Sequence, residues 1–406
     1  MKISIKTSKR MDSAQGITAV NEDKSIRMPK DYRKHVGHQI GDWIILKAKD
    51  GRFISFTVEA AYSEDVENDP MSAYVSGYMH SLVGDDDSSD VKLVEGITLG
   101  CDPELMIIDK TTGDLISAQY YLGLTKWKQV GYDGLLLELR PSPSTDEAIV
   151  IDNISKLLVQ ARGALNKCQQ FPNLMMAGIS SFGGRAAVAT NYATKQAIYH
   201  KDYLTAGFHV HFGIPKEILG SHRWFVAKQV VKALDYYVGF PAIIPEGSND
   251  SYRRTVQGIA YGKPGQFRQD HNTFEYRTPG AALMKHPVLA QGLIGLGAVV
   301  MEDVVSRIKV ITEDYTKLNE ISEDADIKIL YPNLPHMTEI FRSICSPTTD
   351  QAKTHLDIIR RDIEKMVGYG RRADSITNFF NNIETEFSFD VENNWRNLSH
   401  GERQQG

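Results

Sequence analysis

The stretch AGFHVHFG, residues 206–213, alternates histidine with bulky apolar residues. Successive side chains of a strand point to opposite faces, so His209 and His211 share one face while Phe208, Val210 and Phe212 share the other. The run predicts a half-buried strand that presents two imidazoles at a common surface. Such a pair is either a hydrated strand face or one wall of a metal or phosphate site.

Three further segments carry the same signature. LGCDPELMIID (99–109) sets Asp102 and Glu104 two apart, GYDGLLLELRPSPS (131–144) sets Glu138 and Arg140 two apart, and NTFEYRTPG (272–280) does the same for Glu275 and Arg277. If these strands neighbour one another, a single sheet face carries Asp102, Glu104, Glu138, Glu275, His209, His211, Arg140 and Arg277. Carboxylates crowded on one face repel unless cations neutralise them. A donor set rich in oxygen with imidazole as the minority suits Mg²⁺ or Mn²⁺ better than a closed zinc site. Arginines beside such carboxylates are suited to polyphosphate, whose oxygens they grip with planar forks. They thicken at Arg253, Arg254, Arg268 and Arg277, and the segment RRTVQGIAYGKPGQFR (253–268) is glycine-rich enough for its backbone to approach a ligand closely. GIAYGK (258–263) lacks the spacing of a P-loop, and no HExxH, GxSxG or GxGxxG occurs.

The chain of 406 residues is long enough for two or three domains. A net charge of −5 argues against a protein that coats nucleic acid. Cys101, Cys168 and Cys345 form no CxxC pair, which argues against a disulfide scaffold or zinc ribbon and fits a reducing compartment. The N-terminal residues show no secretory pattern, and the longest apolar stretch, 288–301, reads as a buried helix too short to span a bilayer. A cytoplasmic location with no membrane partner is expected.

Charge is uneven along the chain. Residues 1–60 hold 12 Lys and Arg against 7 Asp and Glu, whereas residues 61–100 hold 1 against 9. Within the acidic part, GDDDSSD (84–90) resists packing and marks a boundary. The expected division is a small β-rich module over 1–83, an acidic linker over 84–92, a catalytic domain over 93–310 and a mainly helical part of it over 311–406. Helices are expected over 146–168, 222–240, 286–308 and 350–370, the last ended by glycine. The fold class is therefore α+β.

Two resemblances sharpen this reading. IRMPKDYRKHVGHQIGDWIIL (26–46) resembles the swapped-hairpin barrel of AbrB-like transition regulators, modules that dimerise and often bind DNA. The DPE strand, DGLLLELRPSP, AGFHVHFG, YRR…YGKPGQFR and FEYRTP resemble, in order, the phage-type carboxylate–amine ligases of the glutamine synthetase and glutamate–cysteine ligase superfamily. That resemblance spans about residues 97–285 and implies a mostly antiparallel catalytic sheet with helices on one face. It implies ATP as a substrate and two or three divalent metals, Mg²⁺ or Mn²⁺. By position, Asp102, Glu104, Glu138, His209 and Glu275 match metal ligands, and His211 matches the histidine facing substrate or phosphate. Arg277, with Arg254 and Arg268, matches the phosphate-binding arginines, and Arg140 joins the nucleotide-facing set. Two departures stand out: the glutamine synthetase N-terminal domain is replaced by the AbrB-like module, and Glu138 lacks a clear partner glutamate, for which Asp133 could serve.

The implied reaction is ATP-dependent amide formation through an acyl phosphate, with the 253–270 segment as the cover that excludes water. The expected substrates are a small-molecule or peptide carboxylate and an amine, and the expected assembly is a homo-oligomer in the cytoplasm, that of the host cell if the protein is phage-encoded. The alternatives are guanidino-kinase-like phosphoryl transfer and a DNA-binding regulator acting through residues 1–60. Nucleic acid thus stays open as a partner of the N-terminal module or, as a modified nucleotide, as substrate.

Overall fold

The computed structural model describes residues 4–8, 25–36, 40, 43–47, 53–76, 80, 97–183, 204–213, 223–256, 261–269, 273–313, 331 and 334–395. The acidic stretch expected to act as a linker, 84–92, lies outside them. The chain divides into two compact units, Met1–Gly96 with Ser142–Thr145, and Ile97–Pro141 with Asp146–Gly406.

The first unit contains β1 (Ile5–Thr7), β2 (Ser25–Met28), helix α1 (Lys30–Val36), β3 (Trp43–Lys47), β4 (Phe53–Ala60), α2 (Ser63–Asn68) and β5 (Ala73–Val75). The five strands form one sheet in the order β1-β5-β2-β4-β3. Ile26 and Met28 alternate into its core with Phe56 and Val58. Among the described residues, β3 pairs with β4 alone.

The second unit begins with β6 (Thr98–Asp109), β7 (Leu115–Ile116), α3 (Ala118–Tyr121), β8 (Val130–Asp133), β9 (Leu136–Leu139), α4 (Glu147–Leu165) and β10 (Leu174–Ala177). Then follow β11 (Ser181–Phe182), β12 (Leu204–Thr205), β13 (Phe208–Gly213), α5 (Arg223–Leu234), a π-helical turn (Asp235–Gly239), α6 (Phe240–Glu246) and α7 (Tyr252–Thr255). It continues with β14 (Phe267–Gln269), β15 (Thr273–Tyr276), a 3-10 turn (Ala281–Lys285) and the long helix α8 (Pro287–Glu313). Five helices close the described chain: α9 (Met337–Ile344), α10 (Asp350–Thr354), α11 (Leu356–Ile363), α12 (Tyr369–Asn382) and α13 (Val391–Trp395).

The central sheet runs β14-β15-β13-β6-β9-β8, every neighbouring pair antiparallel, with β7 and β10 pairing the far end of β6. Strand alternation gives this sheet one greasy face. Leu99, Cys101 and Leu105 of β6, Leu137 and Leu139 of β9, Phe208, Val210 and Phe212 of β13, and Phe274 and Tyr276 of β15 all enter one core. Apolar residues of α4, α5, α8 and α12 complete that core. The expected α+β class, with a large antiparallel sheet backed by helices, is the one observed.

Three helical expectations need correction. The helix expected to end at 240 continues through the π-helical turn into α6, reaching Glu246. The apolar stretch at 288–301 belongs to a helix of 27 residues, long and apolar enough by length and composition to cross a membrane. What marks it as a core helix is its packing, since 83% of its most apolar window is buried within the protein. The single helix expected over 350–370 divides at His355, whose ring turns onto Tyr236 and Phe240, and it ends at Ile363, so that Gly370 lies within α12 instead of closing the helix.

Helix α8 approaches its neighbours through glycine. A Cβ at Gly292 would overlap the Phe379 Cβ, and one at Gly297 would stand 2.7 Å from the Phe212 ring. Gly292→Ala is expected to lower the melting temperature, because overpacking of about 1–3 kcal/mol outweighs a helix-propensity gain of about 1 kcal/mol. Exposed Gly163 in α4 has nothing within 4 Å of its Cβ position, so Gly163→Ala is expected to raise it. Thermal melts of the two variants side by side check both signs.

Candidate active site

The face of the sheet opposite the core carries the charged residues, and the register brings them into line. Arg268, Glu275 and His211 are consecutive partners across β14, β15 and β13. His209 lies opposite Asp102 across β13 and β6, and Glu104 lies opposite Glu138 across β6 and β9. Each of the four spaced pairs therefore projects from its own strand onto one surface.

Asp102 sits between the imidazoles. Its Oδ1 is 3.2 Å from His209 Nδ1 and its Oδ2 is 3.2 Å from His211 Nε2. His209 Nδ1 also stands 3.6 Å from Glu275 Oε1. Burial pushes the Asp102 carboxyl up, but the His211 and His209 rings more than offset this and hold it well below the usual carboxylate range. Desolvation disfavours a charged His211, yet the Asp102 carboxylate raises its pKa overall. Glu104 is raised by burial, partly countered by His209 and by the Gly207 N–H that donates to its Oε2 at 2.6 Å.

Glu275 is the hub of the cationic side. Arg268 Nε stands 2.6 Å from its Oε2, and Arg277 Nε donates to its Oε1 at 2.7 Å. Tyr261 covers this corner, its ring 5.7 Å from that of His209 and 4.8 Å from the Arg277 guanidinium carbon. At the other end, Arg140 pairs with Glu138 and donates to the carbonyls of Lys126 and Lys128 at 2.7 and 3.0 Å. This arginine holds the 126–128 turn against the Glu138 strand. Glu138 and Glu104 face each other directly, a like-charge placement that a neighbouring cation relieves.

The residues fit a divalent cation. One donor atom from each of Asp102, His211 and Glu275 lies within 4.8 Å of the other two. The buried His209 Nε2 has no hydrogen-bond partner, and Asp102 Oδ1, His211 Nε2 and Glu275 Oε2 meet their neighbours only as close ion pairs without hydrogen-bond geometry. Buried polar atoms left unmatched in this way call for a ligand, and two carboxylates with imidazole suit Mg²⁺ or Mn²⁺. The tightest trio contains His211 rather than His209, the histidine expected from sequence to ligate metal.

Two expected residues stand elsewhere. Arg254 is 1% exposed and is bound to Glu246 Oε2 at 2.8 Å, to Gly247 O and to Ser346 O, so it joins helices behind the site. Its neighbour Arg253, equally buried, is the one that reaches the site, donating to Thr278 O at 2.7 Å and Arg277 O at 2.9 Å. A Cβ on Gly262 would collide with that guanidinium, and one on Gly207 would collide with the His209 ring. Asp133 ends β8 opposite Leu136, with Lys126 at 3.6 Å, and does not partner Glu138. Of the 253–270 segment expected to cover the site, residues 257–260 and 270 lie outside the described residues.

Sequence reading passed over Tyr261 and Asp235. Asp235, in the π-helical turn, is fully buried, and burial lifts its carboxyl to about 7 despite donors from Gly265 N, Tyr276 and Thr278. The folded pKa lies above the unfolded value of 3.8, so between about pH 4 and 7 the native state holds a proton that the unfolded chain releases. This contribution to stability is fully present below pH 4 and is lost as pH rises through 7. Asp235→Asn does not titrate. Its stability relative to the parent is therefore expected to improve by on the order of 4 kcal/mol from pH 4 to pH 8. Denaturant melts of both proteins across that range read the difference, and a flat difference would refute it.

Comparison with known proteins adds the following. Residues 196–398 match the family model described as phage phiEco32-like COOH.NH2 ligase-type 2. No curated protein matches by sequence. Among solved structures, a bifunctional glutathione synthetase from Pasteurella multocida is similar over 74% of this chain and 53% of its own, at 12% identity and a TM-score of 0.35. The chain thus spans about half the length of that protein. Apo GmaS is similar over 75% of this chain and 80% of its own, at 10% identity and a TM-score of 0.34. The ligase PafA in complex with the ubiquitin-like protein Pup follows at 11% identity and a TM-score of 0.25, over 75% of this chain and 70% of its own.

Proposed function

We infer the reaction from a plain premise: the chain belongs to the phage phiEco32-like COOH.NH2 ligase family. It is proposed to join a carboxylate to an amine at the expense of ATP, by way of an acyl phosphate. The observation that carries this reading is the meeting of Asp102, His211 and Glu275 donor atoms within 4.8 Å, with Arg268 and Arg277 on the same Glu275 carboxylate.

Asp102, His211 and Glu275, with His209 beside them, would hold Mg²⁺ or Mn²⁺, which supplies Lewis-acid polarisation and charge neutralisation when bound. Arg268 and Arg277 stabilise the charge that develops as the γ-phosphoryl group passes from ATP to the substrate carboxylate and ADP leaves. The amine then attacks the acyl carbon, phosphate departs, and the amide remains. Tyr261 shields the Arg277 and His209 corner from water, which would otherwise hydrolyse the intermediate.

The test is a panel of carboxylates and amines, small-molecule and peptide, incubated with ATP and Mg²⁺ and read by mass spectrometry. ADP, free phosphate and a condensed amide are expected together. ADP with a phosphorylated amine or guanidine and no free phosphate would mean a kinase instead.

A further inference from the structure

The sheet edge that carries Arg268 and Arg277 is tied to the helical layer by one buried carboxylate. Along β15 and beyond it, Glu275 and Arg277 face the site, while Tyr276 and Thr278 point the opposite way. Both of those side chains donate to Asp235 Oδ1, Tyr276 at 3.0 Å and Thr278 at 3.2 Å. Asp235 Oδ2 accepts the Gly265 N–H at 2.7 Å. One carboxylate thus grips two pieces of chain, the strand bearing Glu275 and Arg277 and the turn leading from Tyr261 to Arg268.

The surroundings are shaped for this grip. Gly262 and Gly265 take positive φ values of 86° and 79°, which curl the turn and point the Gly265 N–H inward. Thr278 Oγ1 also lies 3.0 Å from Lys263 O, so its single proton is shared between that carbonyl and Asp235, and Arg277 N donates to Gln266 O at 3.1 Å, which stitches turn and strand to each other. A Cβ on Gly239 would stand 2.8 Å from the Tyr276 hydroxyl, so glycine in the π-helical turn makes room for the tyrosine to reach Asp235. π-Helical turns of this kind are costly and recur at functional sites.

We propose that Asp235 is a positioning residue: it latches the 261–266 turn onto the Tyr276–Thr278 segment and so sets where Tyr261, Arg268 and Arg277 stand around the Glu275 carboxylate. The proposal rests on the ligase reading for what those arginines grip, but the latch itself is local geometry. The hydrogen bonds of Asp235 go to Gly265, Tyr276 and Thr278, outside the Asp102, His211 and Glu275 donor set.

The experiment takes the full-length protein and its Asp235→Ala, Asp235→Asn and Thr278→Val variants through three measurements. They are Mn²⁺ binding, binding of a non-hydrolysable β,γ-imido analogue of ATP with Mg²⁺, and amide hydrogen exchange over 261–269. Asp235→Ala is expected to speed exchange in the turn and weaken analogue binding about tenfold or more, since misplacing a gripping group by 1 Å is costly. Its Mn²⁺ affinity should stay near the parent's. Asp235→Asn keeps an acceptor for Gly265 and should restore most of the analogue affinity. Unchanged exchange and analogue binding in Asp235→Ala, or an equal fall in Mn²⁺ and analogue affinity, would overturn the latch. Thr278→Val decides by the same criteria if the alanine variant does not fold. A parent protein that binds no analogue counts against the ligase reading, and exchange in the turn then decides the latch by itself.

Discussion

In the Glu275→Gln variant, half-saturation by Mg²⁺ is expected to move up by at least 10–100-fold, roughly the loss seen when a metal's supporting carboxylate is removed. Glu275 is 3% exposed, and it is shared among His209, Arg268 and Arg277. Glutamine keeps its shape but withdraws the negative charge, so a cation loses an anionic donor and the two guanidiniums lose their common partner. Arg268 is 54% exposed and can hydrate, whereas Arg277 at 17% cannot do so fully. Breaking a buried charged pair from one side is strongly destabilising locally, so residual turnover should be low even at high Mg²⁺. ADP release titrated with Mg²⁺ reads both effects. A titration that overlays the parent's would mean that Glu275 holds no metal.

Arg277→Lys is expected to fail differently. Lysine retains the positive charge but not the planar fork that contacts Glu275 while lying over the Tyr261 ring. An ammonium can satisfy one of these partners at a time. The loss should fall on the charge developing during phosphoryl transfer, about 10²–10³ in kcat for one such donor. It should persist at saturating Mg²⁺, because the donor set of Asp102, His211 and Glu275 stays complete. Recovery at high Mg²⁺ would place Arg277 in metal binding instead.

Much of this site is written into strand alternation. HVH, DPE, the Glu138 strand and FEYR each state which side chain faces the core and which faces away, because the period of a strand is fixed at two. The sheet then needs only its antiparallel order to bring the four pairs together. Helical stretches carry no such rule. Arg253 and Arg254 are adjacent in a short helix, about 100° apart around its axis, and nothing in RR says which one turns toward Arg277. Resemblance pointed to Arg254, and packing against Glu246 claims it. Asp235 lies in ALDYYVGF, where an acid among apolar residues is the only mark of its burial, and its donors come from residues thirty to forty-three positions away. Tyr261 was hidden because its contacts, His209 and Arg277, come from two distant strands. The split at His355 likewise arises from rings at Tyr236 and Phe240, invisible to local periodicity.

On the proposed mechanism, this sheet face passes a phosphoryl group to a carboxylate and then exchanges it for an amine. The most direct measurement supplies the carboxylate with its oxygens replaced by the heavy isotope and follows them by mass spectrometry. Formation of an acyl phosphate moves one carboxylate oxygen into the released phosphate, so labelled phosphate should appear in step with ADP and amide. Unlabelled phosphate throughout, or label retained in a stable phosphorylated product, would contradict the account.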